Sequence, residues 1–272
     1  VIHMFKTRLL TAVIGVPVIL GVMYMGGIYW QAFFGLLGLV GMYEIFTMMS
    51  KNSYHPLYLP GYLLFLVLVY SSKYIDYLPF MLLISLLLFV VYTVINYPRI
   101  QINDVAFTMT AAIYLGWMLH YAEAISYLPD AFLIILLALL VTWASDVGGY
   151  CCGRQWGKHK LVPLLSPKKT REGAVGATVF PVLIAGLAFL YHPLASLPLY
   201  LITGLLAGIM AQFGDLFMSA IKRYFKAKDS GHILPGHGGV LDRFDSFLLV
   251  APVVYYFFVN IDRKSTRLNS SH

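Results

Sequence analysis

Long apolar runs separated by short polar segments occupy the chain as far as about position 261. Nine runs can be marked, at about 9 to 25, 28 to 49, 57 to 71, 78 to 96, 105 to 125, 130 to 150, 173 to 191, 198 to 218 and 244 to 261. Most approach the ~20 residues that an α-helix needs to cross the ~30 Å hydrocarbon core of a bilayer. The expected architecture is therefore an all-α polytopic membrane protein of about nine transmembrane helices. The third run is the weakest, since it covers only about 15 residues and contains Pro60 and Gly61. A re-entrant or interfacial piece is the alternative there.

Composition agrees with this pattern, being 60% hydrophobic and only 11% charged over 272 residues, with a mean hydropathy of +0.77. A soluble domain is excluded. The first run has no small-residue cleavage site and is followed by further spans, so it reads as a helix to be kept, not a removable leader. Cys151 and Cys152 are adjacent, which rarely suits disulfide geometry, and packing at a helix end is their expected role. Gly35, Gly38 and Gly41, with Gly204 and Gly208, stand at helical spacings that favour close helix contact.

The polar segments set the orientation, because Lys and Arg are retained on the cytoplasmic side. Before residue 262, 15 of 16 basic residues fall in the N-terminal segment or in alternate loops: Lys51, Arg99, six in 151 to 172 and five in 219 to 243. Only Lys73 breaks the alternation. The N-terminus and both large polar loops are expected in the cytoplasm, with the chain in the cytoplasmic membrane. Residues 262 to 272 (DRKSTRLNSSH) differ in character and read as a non-native tail, with the natural C-terminus missing. Without their three basic residues and one Asp, the formal charge of +7 becomes +5. The expected organisation is 1–125 with about five helices, 126–261 with about four helices and two polar loops, then the tail.

One stretch does not fit a bilayer at all. Ser219 to Asp245 gathers five Lys or Arg, three Asp, two His and four Gly in 27 residues, a density that must line a water-accessible site. Asp215, Ser219 and Lys222, spaced by four and three, share one helix face just before it. An acid inside an apolar run is a functional candidate by default. Asp242 and Asp245 open the ninth run, where helix capping explains them as well as function does. Together with Asp215 they can converge on magnesium, which takes a few carboxylate oxygens and fills its octahedron with water and phosphate. The turn His237-Gly238-Gly239 offers backbone N–H groups to phosphate oxygens. A second basic element, Ser166-Pro-Lys168-Lys169-Thr170-Arg171-Glu172-Gly173, suits either a phosphate clamp or a solvated cytoplasmic loop. Asp146 precedes it on a face shared with Gly149 and Gly153. Glu44 and Glu123 read as lone acids near helix ends whose side chains snorkel to water. No Ser-His-Asp or Cys-His spacing supports covalent catalysis or a zinc site.

Taken in order, Ser-x-x-Lys-Arg (Ser219, Lys222, Arg223), Lys-Asp-x-Gly (Lys228, Asp229), Pro-Gly-His-Gly-Gly (His237, Gly238, Gly239) and Asp-Arg-x-Asp (Asp242, Arg243, Asp245) closely resemble the signature of the phosphatidate cytidylyltransferases. The resemblance reaches upstream through Ser166-Pro-Lys-Lys-Thr-x-Glu-Gly to Asp146, and before residue 140 it rests on membrane character alone. Arg171 departs from it, standing where the family usually has an aromatic residue. The resemblance implies CTP and phosphatidic acid as substrates, CDP-diacylglycerol and pyrophosphate as products, and Mg2+ as cofactor. It implies metal binding by Asp215 and Asp242 with Asp245 in support, and catalytic roles for Lys222, Arg223 and His237. Substrate contacts would come from Asp146, Ser166, Lys168, Lys169, Ser219, Lys228, Asp229, Gly238, Gly239 and Arg243. The lipid bilayer is an obligatory partner, a homodimer is compatible with the reading, and nucleic acid is not expected. Two rivals stand beside it: a cytidylyltransferase for another lipid phosphate, and a secondary transporter, against which the charges gather at one membrane face and no inverted repeat is found.

Overall fold

The computed structural model describes residues 2–233 and 238–269, with side chains described over 13–233 and 238–259. Among the described residues there are nine α-helices, each overlapping one of the nine apolar runs. They are α1 (Ile2–Met25), α2 (Gly27–Lys51), α3 (Tyr58–Val69), α4 (Leu78–Ile95), α5 (Ile102–Ala124), α6 (Ala131–Trp156), α7 (Arg171–Tyr191), α8 (Leu197–Tyr224) and α9 (Leu241–Asn269). Six stretches are long and apolar enough to cross a membrane: Gly27–Lys51, Ile75–Ile95, Ile102–Tyr127, Ala131–Trp156, Arg171–Tyr191 and Leu197–Tyr224. The third expected span is different, because α3 has only 12 residues. At 1.5 Å per residue it reaches ~18 Å, short of the ~30 Å core. The expected all-α fold also needs one amendment, a two-stranded antiparallel hairpin of β1 (Lys160–Val162) and β2 (Ser166–Thr170) inside the first polar loop.

The chain forms two compact units. The first comprises Val1–Ala124 with Lys222–Arg243, and the second Ile125–Ile221 with Phe244–His272. The second polar segment, Lys222–Arg243, packs with the N-terminal helices. Hydrogen bonding explains this, since buried backbone groups need partners. Asn52, just past α2, donates from Nδ2 to the carbonyl of Phe225 at 2.7 Å. Tyr54 and Tyr224 hydroxyls meet at 2.8 Å within a cluster that includes Phe107 and Phe225.

In the first unit α2 is the central helix, with 61% of its apolar window buried against 11% for α4. Its glycines make that possible. A Cβ on Gly38 would collide with the Phe65 ring, and one on Gly41 would lie 2.8 Å from Leu241. Asp104 begins α5 from the inside, accepting the N–H of Gln101 at 2.9 Å in the manner of a capping box, and also the N–H of His55 at 2.9 Å. In the second unit α6 and α7 touch backbone to backbone. A Cβ on Gly148 would fall on the carbonyl oxygen of Gly176, and one on Gly173 would lie 2.9 Å from that of Gly149. Gly204 and Gly208 let α8 approach the backbone of α7 in the same way.

Candidate functional site

The second unit builds a cavity from the hairpin and four helices, α6 to α9. Thr170 ends β2 and caps α7, its Oγ1 accepting the N–H of Gly173 at 3.1 Å. Glu172, in the first turn of α7, reaches back to the entry of the hairpin. Its carboxylate accepts the N–H of Lys158 at 3.1 Å and meets Nδ1 of His159 at 2.7 Å. With the hairpin tied at its base, β2 carries Lys169 to α8, where Nζ lies 2.6 Å from Oδ2 of Asp215. Both side chains keep partial access to solvent, 25% for Lys169 and 35% for Asp215. Ser219, one turn on, donates to Oδ1 of Asp215 at 3.4 Å.

The cavity measures about 330 Å3, and Asp146, Lys168, Lys169, Thr170, Asp215 and Ser246 are on its wall. Gly149 and Gly153 line it beside Asp146. Three cations, Arg154, Lys168 and Lys169, and two carboxylates around one space can receive a polyanion together with a hard cation. Ser166 lies at the other end of β2, paired with Val162.

The first unit gathers a second polar cluster. Lys222, in the last turn of α8, donates to Oδ1 of Asp242 at 2.6 Å, with side chains only 13% and 9% exposed. Oδ2 of Asp242 accepts the N–H of Ser230 at 2.9 Å and of Gly239 at 3.1 Å. Burial works to raise the Asp242 carboxyl, but the Lys222 ammonium and these N–H groups hold it below the usual aspartate value. Glu44 then takes the next donors in line: Oε1 accepts the N–H of Val240 at 2.7 Å, and Oε2 accepts the N–H of Leu241 at 2.9 Å and the hydroxyl of Ser230 at 2.9 Å.

This cluster changes several expectations. Gly239 was expected to offer its N–H to phosphate, yet that N–H serves Asp242. Its lack of a side chain matters for another reason: a Cβ there would lie 2.7 Å from the Glu44 carboxylate. Glu44 and Glu123 do not snorkel, being 1% and 0% exposed. A carboxylate within an apolar run is too costly to leave without partners, and that was the signal for Glu44 in the sequence. Asp104, 3% exposed just ahead of the fifth apolar run, is a further buried acid that drew no expectation.

The remaining expected residues are placed as follows. Asp245 is 8% exposed, and its Oδ1 accepts the N–H of Ser246 at 2.7 Å, while its carbonyl packs on Gly214. Arg223 is exposed and donates to the carbonyl of Ala227 at 3.1 Å. Arg243 is exposed, and Gly238 adopts a φ of +88° at the turn. Lys228 and Asp229 line a second cavity of about 720 Å3 beside Lys51 and Lys226. His237 lies outside the described residues.

Among the described residues no three His, Cys, Asp or Glu side chains group into a metal cage. Magnesium does not need one, since it keeps several waters and takes one or two carboxylates plus substrate phosphate. Asp215 and Asp146 on the cavity wall fit that requirement. A metal ion would have to displace the Lys169 ammonium at Asp215 and the Lys222 ammonium at Asp242, and Oδ2 of Asp242 is in addition taken by two backbone N–H groups.

Residues 6–261 match the cytidylyltransferase family. The chain belongs to that family. Among its relatives, the phosphatidate cytidylyltransferase of Staphylococcus aureus (strain COL) is 36% identical over 260 residues, covering 92% of this chain and 97% of the relative. That of Staphylococcus haemolyticus is 35% identical over 266 residues, covering 94% and 100%. That of Staphylococcus epidermidis (strain RP62A) is 35% identical over 262 residues, covering 92% and 97%. Family membership thus extends over the N-terminal helices, where the motifs alone carried no resemblance.

Proposed function

We propose that this chain transfers CMP from CTP to phosphatidic acid, giving CDP-diacylglycerol and pyrophosphate for phospholipid synthesis. The observation that carries the reading is the cavity in which Lys169 pairs with Asp215 beside Lys168 and Asp146. Such a site serves a reaction between two anions that repel each other, because its cations offset the repulsion and its carboxylates can share a magnesium ion with the triphosphate. A phosphate oxygen of the lipid forms a bond to the α-phosphorus of CTP while the bond from that phosphorus to the bridging oxygen breaks and pyrophosphate leaves. A phosphomonoester has a second pKa near 6, so the nucleophile is already ionised and needs no strong base.

Magnesium at Asp215 and Asp146 would neutralise charge on the triphosphate. Lys168 and Lys169 would bind its phosphates, and Lys222, as the family resemblance implies, would neutralise phosphate charge. The acyl chains stay in the bilayer and CTP enters from the cytoplasm, an orientation supported by the alternate-loop distribution of Lys and Arg. The decisive experiment incubates purified protein with labelled CTP, magnesium and phosphatidic acid, and looks for a lipid-soluble cytidine product. An ether-linked lipid phosphate and labelled ATP are the comparison arms. No cytidine lipid from phosphatidic acid, or equal turnover with ATP, overturns the assignment.

A further inference from the structure

Glu44 lies outside every motif, in the apolar part of α2, yet it is 1% exposed and accepts from three donors on the second polar segment. Two of them are the N–H groups of Val240 and Leu241, where α9 starts and its unsatisfied donors favour an anion. The third is the hydroxyl of Ser230, whose own N–H goes to Asp242. The backbone is shaped around this carboxylate: a Cβ on Gly231 would stand 2.6 Å from Oε1, and one on Gly239 2.7 Å from either oxygen. Glu44 and Asp242 therefore bind consecutive N–H groups, 239 on one and 240 and 241 on the other, with Ser230 bridging them. We infer that Glu44 is a positioning residue for nucleotidyl transfer, holding the Ser230 and Gly239–Leu241 backbone so that Asp242 presents Lys222 in one place.

This inference rests on the proposed reaction for its kinetic arm only. Glu44→Gln keeps size but supplies one acceptor atom and turns an NH2 group toward N–H or O–H donors. The expected result is a fall in kcat of about 10-fold or more with KM for CTP changed less than about 3-fold, as for an interaction that matters in the transition state. Amide exchange over 239–241 should rise about 10-fold or more while peptides of α6 and α7 keep wild-type protection. Ser230→Ala, which deletes one of the three contacts, should move both readouts the same way by less. Wild-type kcat and exchange in Glu44→Gln overturn the inference. So does Glu44→Gln that loses protection throughout, or does not fold, when Ser230→Ala is wild-type in both readouts, because Glu44 then serves the fold alone. A wild-type protein without turnover defeats the proposed reaction instead, and the exchange arm, which needs no substrate, still decides the role of Glu44.

Discussion

The ammonium of Lys169 stands 2.6 Å from the carboxylate of Asp215, joining a strand of the polar loop to a predominantly apolar helix. Each residue explains the other's position. An intramembrane acid needs a cation or a hydrogen-bond donor, and Asp215 has both, with Ser219 one turn away. Lys169 also stands on the cavity wall, beside Lys168.

Asp215→Asn removes the charge and keeps the shape. Turnover of labelled CTP should fall at least ~10²-fold, the scale of losing one strong electrostatic stabiliser. Lys169→Met should cost about 10-fold or more, and the double variant should be no worse than Asp215→Asn, because residues that act as a unit are not additive. Multiplicative losses in the double variant would separate the two roles.

Gly239→Ala places a methyl group against the Glu44 carboxylate and Ser230. It should lower stability by about 1–3 kcal/mol, the range for overpacking, seen as a lower melting temperature in detergent. Gly186→Ala is the contrast. Its Cβ would meet Leu201 at an ordinary 3.5 Å, and in a helix interior it should be neutral or stabilising by up to ~1 kcal/mol.

Much of this arrangement was legible before any coordinates. Apolar runs placed the nine helices, and the order of Lys, Asp and Gly after Ser219 placed the polar cluster. What escaped notice depends on contacts distant in sequence. The hairpin strands KLV and SPKKT carry no apolar alternation, so they read as loop, and their base is tied to α7 by Glu172 and by Thr170, which ends β2 and caps that helix. Glu44 has no local sign of a partner, since its donors lie on residues 230, 240 and 241. Gly239 stood out for an N–H offered to phosphate, but that N–H goes to Asp242, and the group beside the glycine is the Glu44 carboxylate.

Glu172 ties the base of the hairpin to α7 through Lys158 and His159. Glu172→Ala should free the hairpin without unfolding the helices. KM for CTP should rise several-fold with a smaller change in kcat, and trypsin should cut more readily after Lys158 or Lys160. Unchanged KM together with unchanged cleavage would show that the hairpin holds without this carboxylate.

Orientation can be read with two single cysteines in a background lacking Cys151 and Cys152. Lys158→Cys and Lys226→Cys should both resist an impermeant thiol reagent in intact cells and react after lysis. Labelling of either one in intact cells would reverse the topology.

Asp242 gives a prediction about pH, because its carboxyl is held below the ordinary aspartate value of 3.8 by Lys222, Ser230 and Gly239 in spite of burial. A carboxyl depressed on folding stabilises the folded state fully above its unfolded value. The contribution fades as pH falls through the folded-state value, where protonation breaks the pair with Lys222. At pH 6 to 7, Asp242→Asn should therefore melt below the wild type, since it leaves the Lys222 ammonium, 13% exposed, beside a neutral amide. As pH is lowered past about 4, the wild type should lose this advantage and the two melting curves should approach each other. Lys222→Met should show the same convergence, because it removes the partner that depresses the carboxyl. A gap between wild type and Asp242→Asn that stays constant from pH 7 to pH 3 would mean that the 2.6 Å contact adds nothing through charge, and would leave Asp242 as a helix cap alone.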